Sequence, residues 1–116
     1  MTDALPLTDL AFNILLALWD RDLHGYALVK QLRELEGREG LRTGTVYAAL
    51  TRLQDQGWVS EAEPPEEEED ARRRYYRLDA TGREVARAEA ARLANVLSRA
   101  RGKALLPEGA GGTSLG

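Results

Sequence analysis

Apolar residues crowd the stretch from Thr8 to Trp19, at Leu10, Ala11, Ile14, Leu15, Leu16, Ala17, Leu18 and Trp19. This density predicts a helix that is apolar nearly all round, with Thr8 or Asp9 placed to cap it. Such a helix has to be covered on more than one side. A small domain covers one side, so Leu10, Ile14 and Leu18 are expected to face a second subunit. A helical period restarts at His24-Gly25-Tyr26, with Leu28, Val29, Leu32 and Leu35 as its apolar positions and Gly37 and Gly40 as its end. A third helix is predicted from Thr43-Gly44-Thr45, capped by Thr43 or Thr45. Its buried stripe is Val46, Ala49, Leu50 and Leu53, and Gly57 stops it.

The pattern then changes period. Trp58-Val59-Ser60 reads as a short strand. Glu61 to Asp70 is acidic, contains Pro64-Pro65 and is excluded from a strand interior. Arg73 to Leu78 reads as a returning strand. Together they predict a hairpin with an acidic tip. From Asp79 to about Ala104 a long helix carries Ala86, Ala90, Leu93, Leu97, Ala100 and Ala104 at alternating spacings of four and three. This is a heptad seam with small residues that allow close helix approach, and it too is expected at a subunit interface. Residues 1–6 are expected as a short arm and residues 105–116 as a disordered tail.

The chain has 116 residues, enough for one domain. It has no cysteine and one histidine, which excludes thiolate metal sites, disulfides and a two-histidine site within one chain. The longest apolar run is about half the ~20 residues that a bilayer span needs, and the first residues carry no signal-peptide pattern. His24 has no partner set for catalysis and is expected to hydrogen-bond locally. Glu66 to Asp70 lacks the spacing of a calcium loop. No catalytic residues, metal site or cofactor are expected, and the location is expected to be cytoplasmic.

The net charge of −3 argues at first against a nucleic-acid partner. Its distribution reverses that reading. Residues 61–71 hold seven acidic residues and no basic one, while residues 72–101 hold nine arginines against three acids. Without the acidic segment the chain is net +4, so a basic region lies beside a local mask. Binding duplex DNA needs a helix with an apolar back and a short polar front, cations beside it, and two copies at half-site spacing. The third helix presents Thr45, Tyr47, Ala48, Thr51, Arg52 and Asp55 opposite its buried stripe, and Thr43 at its start is a further DNA-binding candidate. Arg72, Arg73 and Arg74 stand at the base of the hairpin, and Tyr26 and Lys30 are weaker candidates on the second helix. The order of elements, helix–turn–helix followed by a hairpin, is that of a winged helix.

Three motifs carry a resemblance. Thr43 to Val59 (TGTVYAALTRLQDQGWV) resembles the recognition helix of the PadR family of bacterial transcriptional regulators. His24-Gly25-Tyr26-Ala27-Leu28 is similar to that family's entry to its second helix. Arg74-Tyr75-Tyr76-Arg77-Leu78, followed by Thr81-Gly82, is similar to its second wing strand and the turn beyond. This chain departs from the family pattern at Ala48, where proline is usual. It departs again at Asp70-Ala71-Arg72-Arg73, where the wing usually reads Gly-Arg-Pro-Arg.

The resemblance implies a mainly α fold with a small β-hairpin: a winged helix–turn–helix over residues 1–78 and a dimerisation helix over 79–104. It implies a homodimeric regulator, usually a repressor, on a pseudo-palindromic operator in double-stranded DNA, in some members with a phenolic or drug-like effector. The dimer contacts it points to are Leu10, Ile14 and Leu18 against Ala86, Ala90, Leu93, Leu97 and Ala100. The acidic tip is expected to point away from DNA or to be mobile. A protein-interaction adaptor using that tip, and a sensor that binds DNA only with its ligand, are the rival readings.

Overall fold

The computed structural model describes residues 5–107, so most of the expected arm and tail lies outside the described residues. Four helices and three short strands follow in the order α1 (Asp9–Ala17), β1 (Leu23–His24), α2 (Gly25–Arg33), α3 (Thr43–Asp55), β2 (Val59–Ala62), β3 (Tyr75–Leu78) and α4 (Ala80–Gly102). Thr8 caps α1 as expected, its side chain accepting from the Ala11 N–H at 3.0 Å. The end of α3 is set by Gly57, whose φ of +82° is the left-handed conformation glycine takes at no steric cost.

One core joins α1, α2, α3, the sheet and the first turns of α4. It contains Ile14, Leu15, Leu18, Leu28, Leu32, Val46, Leu50, Leu53, Trp58 and Val85. The predicted stripe of α3 is wholly in it. Ile14 and Leu18 are buried there too, at 0 % and 1 % exposure, and Ala86 is buried at 3 %. The expectation that these three face a second subunit is therefore corrected. On α1, α2, α3 and α4 of the same chain all pack, which covers the helix on more sides than a single small domain was expected to provide. Leu10 stays half-buried, and Ala90, Leu93 and Leu97 remain exposed.

Five local expectations also change. The sheet is three-stranded and antiparallel in the order β1-β3-β2, because Leu23 and His24 pair with Tyr76 and Tyr75. β2 runs through Glu61 and Ala62, which pair with Tyr76 and Tyr75; on this edge strand an outward glutamate costs nothing to solvate. β3 begins at Tyr75, not Arg73, since Arg73 is drawn into a turn by its N–H bond to the Asp70 carbonyl at 3.1 Å. The residue preceding α3 is Arg42, with no side-chain cap, so neither Thr43 nor Thr45 fills that role. The second helix ends at Arg33, and the turns that follow include Gly37 at φ +80°.

α4 is anchored over its first ten residues and free beyond them. Trp19 lies under the guanidinium groups of Arg83 and Arg87, 4.7 and 5.1 Å from its ring centre, and Arg83 also donates to the Trp19 carbonyl. Glu89 is 2 % exposed and accepts from Arg92 at 2.7 and 2.9 Å and from the Leu7 N–H at 3.2 Å. Those donors, the Arg92 bonds foremost, hold its carboxyl below the usual carboxylate range despite burial. After Glu89 no residue of α4 is buried.

Candidate nucleic-acid interface

α3 presents Thr43, Thr45, Tyr47, Ala48, Thr51 and Arg52 to solvent, with Ala48, Thr51 and Arg52 opposite its buried stripe, Thr45 and Tyr47 on the flanks and Thr43 exposed in the first turn. The helix needs this division to serve as a reader, since its back must be fixed before its front can be aimed. Two contacts steady the front. Arg33 reaches from α2 to the Leu41 carbonyl at 2.8 Å and to the Thr43 hydroxyl at 3.3 Å, which pins the loop that leads into α3. The Thr51 hydroxyl donates to the Tyr47 carbonyl at 3.1 Å, one turn back.

Beside α3 lies a recess of about 250 Å³ lined by His24, Gly25, Tyr26, Tyr47, Arg72, Arg73 and Arg74. Three separate elements build it. α2 contributes its N-terminus, α3 contributes Tyr47, and the loop before β3 contributes the arginines. The closure of the sheet brings them together: the Gly25 N–H donates to the Arg74 carbonyl at 3.2 Å, next to the pairing of His24 with Tyr75. Gly25 makes room for the Tyr47 ring in this arrangement. A Cβ there would lie 1.9 Å from the Tyr47 hydroxyl and 2.6 Å from its ring. The absent side chain lets the Tyr47 ring lie over the start of α2.

The recess therefore unites Tyr26, Tyr47, Arg72, Arg73 and Arg74 from the expected set. Thr43, Thr45, Thr51, Arg52 and Lys30 are exposed but outside it. Its composition of guanidinium groups and phenol hydroxyls suits a phosphodiester oxygen. Among the described residues no His/Asp/Glu group is arranged to hold a metal ion, and no helix is long and apolar enough to cross a membrane.

The sequence matches the Transcriptional regulator PadR-like family over residues 14–88. The chain belongs to the PadR-like family. That match spans α1 to the middle of α4, and members of this family are DNA-binding transcriptional regulators, not enzymes. Among solved structures, a PadR family regulator from Clostridium difficile R20291 is 26 % identical, with 79 % of this chain and 94 % of that one covered and a TM-score of 0.69. RosR of H. salinarum is 30 % identical over 84 % of this chain and 80 % of its own, with a TM-score of 0.64. A PadR-like regulator from Bacillus cereus ATCC 14579 shares the fold at 19 % identity and a TM-score of 0.72, with 84 % and 93 % covered. No curated protein matches the chain.

Within this PadR-like winged helix, His24 has the local role expected of it. Its Nδ1 accepts from the Ala27 N–H at 3.2 Å and so caps α2. A ring that accepts at Nδ1 carries its proton at Nε2, which faces Arg73 at 3.2 Å. Two donors meet there, and Arg73 takes its partners from Glu68 and Asp70 instead. Burial, and secondly the Arg73 charge, hold the His24 pKa below the ordinary histidine value, against an opposing pull from Glu68. A histidine with a lowered folded pKa contributes its full stability above the unfolded value of about 6.5, and loses it as pH falls through the folded pKa. Melting temperature is thus expected to fall between pH 7 and 5, by the equivalent of no more than about 1 kcal/mol, the ordinary worth of a cap. His24→Asn keeps a cap acceptor without titrating and should flatten that limb. An equal acid-side loss in the variant would remove His24 as its source.

Sequence reasoning missed three participants. Arg42 is exposed immediately before α3, and its place directly ahead of the predicted helix start was the available signal. Gly25 stood in the His24-Gly25-Tyr26 motif without a role of its own, and Arg33 had no signal, because both act through contacts with a different helix.

Proposed function

We propose that this regulator acts as a cytoplasmic homodimer that represses transcription from a pseudo-palindromic operator, with α3 in the major groove and the recess beside it on the phosphate backbone. The carrying observation is the convergence of Tyr26, Tyr47 and Arg72 to Arg74 on one recess next to the exposed front of α3. In this reading Thr43, Thr45 and Tyr47 meet phosphate, and Thr51 and Arg52 read base edges. Ala48 leaves room for a thymine methyl, and Lys30 gives a weaker phosphate contact. The exposed Leu93 and Leu97, with the neighbouring Ala90 and Ala100, form the dimer seam against Leu10 of the partner subunit.

The test is fluorescence anisotropy with the protein's own upstream DNA and a scrambled duplex, from ~50 to ~200 mM salt. Preference for its own DNA, with affinity falling steeply as salt rises, is expected. Arg52→Ala should lose ~1–3 kcal/mol on the operator and much less on the scrambled duplex. An equal loss on both would make Arg52 a backbone contact. Absence of wild-type binding to either duplex, unrelieved by phenolic or drug-like compounds, would overturn the reading.

A further inference from the structure

Every arginine in the recess already has a carboxylate. Arg72 Nε lies 3.2 Å from Asp70 Oδ1. Arg73 Nη1 lies 3.4 Å from Glu68 Oε1, and its Nε lies 4.0 Å from Asp70 Oδ2. Arg74 Nη1 lies 3.4 Å from Glu61 Oε2. The acidic segment is turned toward the arginines. It is folded back on them by a defined set of bonds. The Glu68 N–H donates to the Pro65 carbonyl at 3.0 Å, and the Asp70 N–H to Glu68 Oε2 at 2.9 Å. The Arg72 N–H donates to Asp70 Oδ1 at 3.0 Å, and the Tyr75 hydroxyl donates to Glu68. Glu68 is the least accessible of these acids, its side chain 8 % exposed, while Arg72 and Arg74 are 91 % and 71 % exposed. Glu66 and Glu69, in the same segment, make no bond to an arginine among the described residues.

We propose that Glu68 and Asp70 are an intramolecular stand-in for DNA phosphate, holding Arg72 and Arg73 until a duplex displaces them. The idea rests on the DNA-binding reading above. The pair between Arg72 and Asp70 is solvent-facing, weak and screened, so a phosphodiester exchanges for it readily, and Arg73 keeps an exposed side from which phosphate can compete with Glu68. The carboxylates nevertheless stay tethered near the duplex and offset part of the positive charge that would meet it. Phosphate contacts carry no sequence information directly, so the mask lowers affinity for all DNA. It leaves discrimination to α3 and restrains binding to the large excess of non-operator sites.

The test compares the wild type with Glu68→Gln/Asp70→Asn and with Glu66→Gln/Glu69→Gln, which removes the same two charges from unpaired positions. Each amide in the first variant keeps one acceptor oxygen, which can take the backbone N–H of Asp70 or of Arg72, while its NH2 faces the other partners; a thermal melt checks its fold. The first variant should bind both the operator and the scrambled duplex about tenfold more tightly. Its log K against log salt should steepen by about 0.9 for each additional phosphate neutralised. It should also elute from immobilised heparin at higher salt than the Glu66/Glu69 variant. Equal gains in the two variants would show a general field effect and overturn the proposal, as would no gain in either. If no form binds DNA but the first variant alone is retarded on heparin, the mask stands and the DNA reading fails.

Discussion

Leu97→Asp is expected to convert the protein from dimer to monomer in sedimentation equilibrium and to weaken operator binding by about 100-fold or more. The expectation follows from how α4 is used. Its buried residues are Gly82, Val85, Ala86 and Glu89, all in the first half of the helix. Beyond Glu89 the helix continues for more than three turns, with Leu93, Val96 and Leu97 exposed at 38 %, 39 % and 40 %. A helix of modest amphipathicity does not hold three turns in water without packing, and the small residues Ala90, Ala94 and Ala100 beside those apolar ones permit close approach of a partner helix. A carboxylate at position 97 would be buried without a cation and costs several kcal/mol in the dimer, but almost nothing in the monomer. The DNA effect follows from linkage. Two tethered half-sites gain 10²–10⁴ in avidity over one, and a monomer forfeits it while retaining its contacts at a single half-site. A variant that still sediments as a dimer would place the interface elsewhere. The apolar groove of Leu16, Ala17, Leu32 and Leu35 between α1 and α2 would be the next surface to test.

The parts of the fold that were legible in the sequence are those set by local chemistry. The stripe Val46, Ala49, Leu50, Leu53 repeats at helical spacing, and its burial follows from that spacing alone. Thr8 and Gly57 mark a start and a stop through their own backbone preferences. What escaped depends on distant partners. β1 is two residues long and exists because Tyr75 and Tyr76 pair with it some fifty residues later, which no local pattern announces. Ile14 and Leu18 look the same in sequence whether a neighbouring helix or a second subunit covers them. Their place in the core follows from three helices of the same chain converging on α1. In the site, the exposed front of α3 was readable as the complement of its buried stripe. The recess was not, since it forms where α2, α3 and the loop before β3 meet. The charge pattern showed an acidic segment next to basic residues, but which carboxylate takes which arginine is decided by the turn at Asp70.

Gly82→Ala is expected to destabilise the fold although it replaces a glycine inside a helix. Helix propensity alone favours alanine by roughly 1 kcal/mol, so the direction of the change separates propensity from packing. Gly82 is buried in the first turn of α4, where that helix crosses the end of the wing. A Cβ there would lie 2.2 Å from the Trp58 carbonyl oxygen and 2.8 Å from Leu78 Cδ1. The same carbonyl accepts from the Asp79 N–H at 2.9 Å, the bond that fixes the turn into α4, while the Asp79 carboxylate takes the Ser60 hydroxyl at 2.5 Å. The nearest obstacle is thus backbone held at both ends, unlike the swinging ring tip that faces Gly25. Overpacking against atoms that cannot yield costs about 3 kcal/mol, which leaves a net loss of about 2 kcal/mol in urea unfolding followed through the emission of the buried Trp58. Gly44→Ala is the matched control, a glycine within α3 with nothing within 4 Å of its Cβ position. It should gain up to about 1 kcal/mol. If both variants gain stability, α4 is free to move off the wing at Gly82, and the junction between the DNA-binding part and the helix beyond it is softer than the packing implies.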